Sequence, residues 1–332
     1  MQYKSIKGYT GFGQLGMLLL FLGVGIVVGS ILQLVIGMSM VPKGTGFVEL
    51  ADAIMKAMQK PENLTTVRLL QVLSTFIIFF IPALMYSFVC HGKDPFWLGF
   101  NKNFNFFQVI VGFLIIFTAN IMAGPLQELS EKLIAHFPAW DQLAKKLEAT
   151  YNEQVNLLSN LKGIGDLILA LLIMAFFPAL FEELFFRGAL QNLLIKWWRK
   201  PMLAIVITSV IFSLIHMSVY LFLSRIALGF ALGLMFYETK NIWVNTIAHF
   251  LNNAIAVGQM YVLSGSKEKV DVSKLDPKID WWFGIIAVFV LVALFRFLKK
   301  YSEKNKRIIQ AKEDELVKEP IYQNPFESNI NS

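Results

Sequence analysis

Residues 181–187 have the sequence Phe-Glu-Glu-Leu-Phe-Phe-Arg, and they lie within a long apolar run. Two adjacent carboxylates, Glu182 and Glu183, and the guanidinium of Arg187 therefore fall where a helix embedded in hydrocarbon is expected. Each charged side chain at the centre of such a helix costs about 2.5–3.5 kcal/mol on insertion scales. Helix packing in a membrane does not require these charges, so we expect the three residues to do chemistry or to line a polar path.

The composition is typical of a membrane protein with several spanning helices. Of the 332 residues, 56% are hydrophobic and only 16% are charged, and the mean hydropathy is +0.57. A soluble domain of this length carries more charge because its surface must face water. We therefore predict an all-α, polytopic integral membrane protein.

Eight apolar segments approach or exceed the roughly 20 residues that a helix needs to span a bilayer. They lie at about Gly13–Met38, Leu69–Cys90, Phe106–Ala123, Gly165–Leu194, Met202–Leu221, Arg225–Tyr237, Ile242–Leu263 and Trp281–Leu298. The first segment is too long for the apolar part of a signal peptide and lacks a cleavage motif. We therefore predict about eight transmembrane helices, including a retained first one.

Basic residues fall on one side of this eight-helix arrangement. They are Lys4, Lys7, Lys93, Lys102, Lys196, Arg199, Lys200, Lys240, Arg296, Lys299 and Lys300. The positive-inside rule predicts that this side is cytoplasmic and that both termini face it. The net charge of +7 is then explained by membrane orientation rather than by nucleic-acid binding, and a bacterial source would place the chain in the cell membrane.

The predicted helices and loops divide the chain into four regions. The regions are residues 1–162 with three helices and two long outside loops, 163–263 with four helices, 264–298 with an outside loop and the eighth helix, and the polar tail 299–332. We expect the tail to be partly disordered beyond one helical extension. Residues 140–155 have helical spacing and mixed charge, which predicts an amphipathic surface helix, a connector rather than a guide for substrate.

Polar residues also occur in two later segments. In the fifth apolar segment His216 follows Phe212 by four residues, and in the seventh segment Asn253 follows His249 by four residues. Each pair therefore shares one helical face. At ~1.5 Å per residue from the cytoplasmic boundary, Glu182 and His216 lie about 21–23 Å deep, and the seventh-segment pair about 12–18 Å. All four side chains are thus predicted to lie in one central layer of the membrane.

Glu183 and Arg187 are also four residues apart, so an intrahelical ion pair can offset part of their burial. Such a pair can be a structural clamp alone, and a lone membrane histidine is often only a helix–helix hydrogen-bond partner. Glu182 points about 100° away around the helix. Carboxylates, histidines and an amide at one depth are the groups that water activation in a dry site requires.

Three motifs now give the chain a resemblance to a known family. Glu-Glu-x-x-x-Arg at 182–187, Phe-x-x-x-His at 212–216 and His-x-x-x-Asn at 249–253 occur in this order, each on a predicted transmembrane helix. The chain resembles the CAAX protease and bacteriocin-processing (CPBP, or abi) family of intramembrane endopeptidases over about residues 166–262. The other helices match that family only in number.

The resemblance implies a glutamate-dependent peptidase with its active site in the core of the helix bundle. Glu182 would be the general base that deprotonates a water, and His216 would help to hold that water. His249 and Asn253 would line an oxyanion hole. The supporting residues would be Glu183, Arg187 and Phe212.

No cofactor is favoured. If zinc is bound, its ligands would be Glu182, His216 and His249, but the sequence has no His-Glu-x-x-His motif and no cysteine pair. The expected partners are a peptide or protein substrate, lipidated or not, and the lipid bilayer, with no nucleic acid. Two alternatives stay open, a proton-coupled transporter that uses the buried glutamates and histidines as a relay, and a bacteriocin-immunity-type membrane protein.

Overall fold

The computed structural model describes residues 3–158, 161, 163–264 and 279–318, which form ten helices and no β-strand. The helices are Gly11–Ser39 (α1), Leu50–Met58 (α2), Pro61–His91 (α3), Phe106–Ala135 (α4), Pro138–Leu158 (α5), Ile164–Trp198 (α6), Pro201–Ile215 (α7), Phe222–Thr239 (α8), Ile242–Ser264 (α9) and Trp281–Lys318 (α10). The predicted all-α class is confirmed, and α5 contains the expected amphipathic segment.

Six of the described helices are long and apolar enough to cross a membrane, namely α1, α3, α4, α6, α8 and α10. Two further predicted segments differ from a standard span. Helix α7 is apolar but only 15 residues long, because the backbone turns after Ile215 and Met217 adopts a positive φ of 53°. Helix α9 carries several asparagines and His249, which lower its hydropathy. The polytopic membrane fold is confirmed, with fewer standard spans than the eight predicted.

Helices α3 and α6 each widen into a π-helical stretch just before a proline. Phe76–Phe80 precedes Pro82, and Leu171–Phe176 precedes Pro178. Proline lacks an N–H, and its ring clashes with the carbonyl four residues earlier in a regular α-helix, so a wider turn relieves the clash without ending the helix. Helix α6 is π-helical again after Glu183, so it is widened on both sides of the two glutamates.

Helix α6 lies in the core of the bundle, in close contact with its neighbours. A Cβ at Gly188 would lie 2.6 Å from the carbonyl oxygen of Leu98. A Cβ at Gly233 of α8 would lie 2.7 Å from Oε1 of Gln191 and 2.8 Å from Ile205. Glycine at these positions therefore lets the chain before α4 and helix α8 approach the glutamate-bearing helix.

The first and last described segments of the chain lie at the same end of the helix bundle. Asn101 donates to the carbonyl of Lys240 at 2.8 Å, and Lys306 forms an ion pair with Glu238 at 3.0 Å. The segments that meet here are residues 3–10, 92–105, 196–200, 238–241 and 299–318, and we call this end of the bundle the terminal face.

Helix α10 continues far beyond the predicted end of the eighth span. Residues 299–318, the first part of the predicted polar tail, are helical, and Ile309 is buried against Phe96 and Trp97. Residues 319–332 lie outside the described part of the chain, as do residues 265–278 of the last predicted loop. The division of the chain into four regions stays a prediction.

Candidate active site

Glu183 lies at the centre of a buried hydrogen-bond network and is 0% exposed. Its Oε1 accepts from Nη1 of Arg187 at 2.8 Å and lies 2.9 Å from Nδ1 of His249, while its Oε2 accepts from Asn245 at 3.1 Å. A buried carboxylate is tolerated only when it is paired and hydrogen-bonded. Donors from α6 and α9 meet that need, so both oxygens of Glu183 are occupied by protein groups.

Arg187 joins three helices. Its side chain is 1% exposed, and its Nη2 donates to the carbonyl of Gly229 in α8 at 3.2 Å. Its guanidinium lies over the ring of Phe212 in α7, 4.7 Å from the centroid, where a cation is attracted to the ring face. The ion pair predicted from the spacing of Glu183 and Arg187 is present, and it also clamps α6 to α7 and α8.

The neighbouring Glu182 has a different environment. Its side chain is 12% exposed, and its Oε2 lies 4.0 Å from Nε2 of His216 and 4.0 Å from Nε2 of His249. This distance is too long for a direct hydrogen bond and leaves room for one bridging water. Among the described residues, no protein donor is hydrogen-bonded to Glu182, so its lone pairs are open.

Hydrogen-bond partners assign the same tautomer to both histidines. Nδ1 of His216 lies 2.7 Å from the carbonyl oxygen of Phe212, and Nδ1 of His249 contacts Glu183. Carbonyl and carboxylate oxygens only accept, so each Nδ1 must carry the proton and donate. In its neutral form, each imidazole therefore presents an unprotonated Nε2 towards Glu182.

The sequence predicts His216 inside a transmembrane helix, but in the structure it lies at the end of α7. It is the C-cap residue of α7, and the chain then turns through residues 217–221 into α8. Ser213 donates to the carbonyl of Phe222 at 2.8 Å and closes this turn. One histidine of each later motif still faces Glu182, because Nε2 of His216 and Nε2 of His249 each lie 4.0 Å from its Oε2.

Asn253 lies one helical turn beyond His249 and is half-buried. Its Oδ1 accepts from Asn252 at 3.4 Å, and Asn252 in turn accepts from Asn120 of α4. Within the described chain no hydrogen bond joins Asn253 to Glu182 or to either histidine. The structure thus brings together Glu182, His216 and His249. Asn253 lies on the same helix as His249, one turn further along, and is not hydrogen-bonded to this group among the described residues.

Asn245 is a residue that the sequence analysis missed. It is buried and donates both to Glu183 and to the carbonyl of Leu232 in α8, the latter at 2.7 Å. The signal was available, because Asn245, His249 and Asn253 follow one another at four-residue spacing and so share a helical face.

The predicted zinc ligands can be tested against this geometry. Bond lengths of about 2.0–2.2 Å in a tetrahedral site put neighbouring donor atoms roughly 3.3–3.6 Å apart. Here Oε2 of Glu182 is 4.0 Å from each Nε2. No group of three or more His, Cys, Asp or Glu side chains that could hold a metal ion occurs in the described residues. In this structure the carboxylate and imidazole donor atoms thus lie farther apart than the ligands of a tetrahedral zinc ion.

Comparison with known families addresses the same region. Residues 164–255 match the family model described as type II CAAX prenyl endopeptidase, Rce1-like. Over these residues the chain is similar to the Rce1-like CAAX protease family. The match begins at the start of α6 and ends after Asn253, so it covers every residue of the candidate site. The chain has no significant match among curated proteins or among solved structures.

The Rce1-like match confirms the resemblance drawn from the three motifs. It indicates a peptidase of the CAAX-protease type, and together with the six apolar helices it supports a multi-pass membrane protein. Helices α1 to α5 and α10 lie outside the matched region.

Proposed function

We propose that the protein is an intramembrane endopeptidase in which Glu182 activates a water for attack on a peptide carbonyl. The observation that carries the proposal is the position of Oε2 of Glu182, 4.0 Å from Nε2 of both His216 and His249. The three atoms are all acceptors when the histidines are neutral. They leave a position for a group that donates two hydrogen bonds, which water can do.

The proposed reaction begins with a water that donates one hydrogen to Glu182 and the other to Nε2 of one histidine. Glu182 takes its proton as the water oxygen forms a bond to the carbonyl carbon, and the carbonyl electrons move to the oxygen. The protonated Glu182 then returns the proton to the leaving amine as the C–N bond breaks. Atoms and charge balance without a further reactant.

The oxyanion of the tetrahedral intermediate needs hydrogen-bond donors. We assign this role to Asn253 and His249. The amide Nδ2 of Asn253 is a donor in every protonation state, and acceptance from Asn252 by its Oδ1 leaves Nδ2 free to turn towards the substrate. His249 can donate from Nε2 only as an imidazolium, so we give Asn253 the larger share.

Glu183, Arg187 and Asn245 act as a positioning frame in this mechanism. Glu183 fixes the Nδ1 proton of His249 and so directs Nε2 at Glu182, as second-shell carboxylates commonly orient a histidine. Arg187 and Asn245 compensate the buried charge of Glu183. We propose no step through zinc, and dialysis against a chelator is expected to leave turnover unchanged.

A peptide-release assay tests the proposal. The purified protein is incubated with fluorogenic peptides that end in a CAAX sequence, either with or without a prenyl group. Comparison of the two peptides also decides whether the substrate must be lipidated. His216→Ala is expected to lower turnover by a factor of about 10²–10⁴. The control Glu62→Gln, at a carboxylate that is 73% exposed, should cleave as the wild type. Equal cleavage by His216→Ala would contradict the assigned role.

The same variants separate the peptidase from the proton relay. Proton flux into proteoliposomes that is lost in His216→Ala, with no peptide release in the wild type, would support a transporter instead.

We further propose that the terminal face is cytoplasmic, because most of the basic residues named in the sequence analysis lie there. Lys300→Cys in a Cys90→Ala background should react with an impermeant maleimide only from the cytoplasmic side.

A further inference from the structure

A cavity lies between α4, α8 and α10, on the side of α8 that faces away from Glu183. It has a volume of about 420 Å³, within the roughly 300–1,000 Å³ range of ligand pockets. Most of its lining is apolar and includes Met122, Ala227, Phe230, Leu234, Val288 and Val292. A pocket of this kind in a membrane helix bundle can accept a hydrocarbon chain.

Charged residues line only one end of this cavity. Arg296 and Lys299 of α10 and Glu238 of α8 belong to its lining, and they lie at the end nearest the terminal face. From Val288 to Lys299 the helix rises roughly 16 Å. The cavity therefore changes from apolar to polar along the helix axis, as a lipid molecule does.

The charges at this end do not cancel one another. Glu238 is paired with Lys306 at 3.0 Å, whereas Arg296 and Lys299 have no ion-pair or hydrogen-bond partner among the described residues. Arginine and lysine are the side chains that bind lipid phosphates at membrane surfaces. The cavity thus combines an apolar slot with two available cations at its mouth.

We infer that this cavity binds an anionic phospholipid from the leaflet at the terminal face. One acyl chain would occupy the slot between α8 and α10, and the phosphate would contact Arg296 and Lys299. The acyl chain of a zwitterionic lipid would fit the slot equally well. Its headgroup, however, carries a positive group that offsets the phosphate charge and is repelled by the two cations. Charge complementarity therefore selects an anionic headgroup.

The bound lipid would contact the helix that also holds the candidate active site. Gly229 of α8 accepts a hydrogen bond from Arg187, while Phe230 and Leu234 on the other side of α8 line the cavity. An occupied cavity would therefore hold α8 in position behind the Arg187 clamp. The inference does not rest on the peptidase mechanism, because it uses none of the residues assigned to catalysis.

The test uses the full-length protein in mixed micelles that contain either phosphatidylglycerol or phosphatidylcholine with identical acyl chains. Native mass spectrometry counts the retained lipids, and thermal unfolding reports stabilisation. We expect the wild type to retain one phosphatidylglycerol and to melt at a higher temperature with it than with phosphatidylcholine. The double variant Arg296→Gln, Lys299→Gln should weaken this retention by roughly 10- to 30-fold.

Three further variants make the outcome specific. Lys300→Gln with Lys304→Gln removes the same charge from neighbouring turns of α10 and should bind as the wild type. Ala227→Phe keeps both cations but fills the slot, so it should lose the lipid. Glu182→Gln should retain the lipid whatever its effect on peptide release. Equal stabilisation of the wild type by both lipids, or unchanged retention in the double variant, would overturn the inference.

Discussion

Glu182 and Glu183 are adjacent in the chain, but among the described residues protein donors are hydrogen-bonded only to Glu183. The carboxylate of Glu183 meets Arg187, His249 and Asn245, while that of Glu182 faces two histidine nitrogens across 4.0 Å gaps. A rotation of about 100° along the helix thus separates a structural carboxylate from one that is available for chemistry.

Loss of one partner of the buried ion pair should destabilise the fold strongly. Glu183→Gln leaves the guanidinium of Arg187 in the core without its countercharge, which typically costs about 3–5 kcal/mol. Thermal unfolding in detergent should therefore show a large fall in melting temperature. The double variant Glu183→Gln, Arg187→Met removes both charges, and its loss should be smaller than the sum of the two single losses. Additive losses would mean that the pair is not coupled.

Asn245 should matter for both stability and turnover, although the motifs do not include it. Asn245→Leu has a similar volume but cannot donate, so Oε2 of Glu183 and the carbonyl of Leu232 each lose a partner. Unsatisfied buried groups cost about 1–3 kcal/mol, and the orientation of His249 loosens with Glu183. We expect a lower melting temperature and a lower kcat with little change in KM. A variant indistinguishable from the wild type in both would exclude this role.

The turn after His216 is tied to the outer helix α5. Tyr220 donates to Asp141 at 2.8 Å, and Ser218 donates to Glu148 at 3.0 Å. Tyr220→Phe removes the first of these bonds, so residues 138–158 should be cleaved faster in limited proteolysis. The control Tyr301→Phe, at a side chain that is 44% exposed, should be cleaved at the wild-type rate.

The same contact predicts a pH dependence. Burial and the hydrogen bond to Asp141 raise the pKa of Tyr220 from 10.0 to about 12. A raised pKa means that the protonated phenol is favoured in the folded state, so its stabilising contribution is fully present below pH 10. The contribution is lost as the pH rises through about 12. Protection of residues 138–158 in the wild type should fall over this interval, and Tyr220→Phe should lack that step.

Local spacing was sufficient to predict part of the site. The Glu183–Arg187 pair follows from four-residue spacing on one helix, and hydropathy located the helices that carry Glu182 and His249. The end of α7 at Ile215 could not be predicted in this way. It depends on a positive φ at Met217, and no glycine marks that position. The buried network around Glu183 also needs Gly229 and Leu232 of another helix, which no local pattern reveals.

Tertiary contacts explain the remaining differences. Residues 299–318 have too few apolar side chains for a core of their own, but Ile309 packs on Phe96 and Trp97. A pattern read along one helix cannot identify a partner that lies about two hundred residues away. The π-helical widening of α6 beside the glutamates could not be predicted from the sequence either. Pro178 predicts a disturbed helix but not its π-helical form.

Turnover of Glu182→Gln is the most direct test of the proposed mechanism. The substitution keeps the shape of the side chain and removes the group that accepts a proton, and no described protein donor depends on Glu182 for a partner. We expect the melting temperature to stay near that of the wild type while peptide release falls by a factor of about 10²–10⁴. Peptide release at the wild-type rate by this folded variant would contradict Glu182 as the general base.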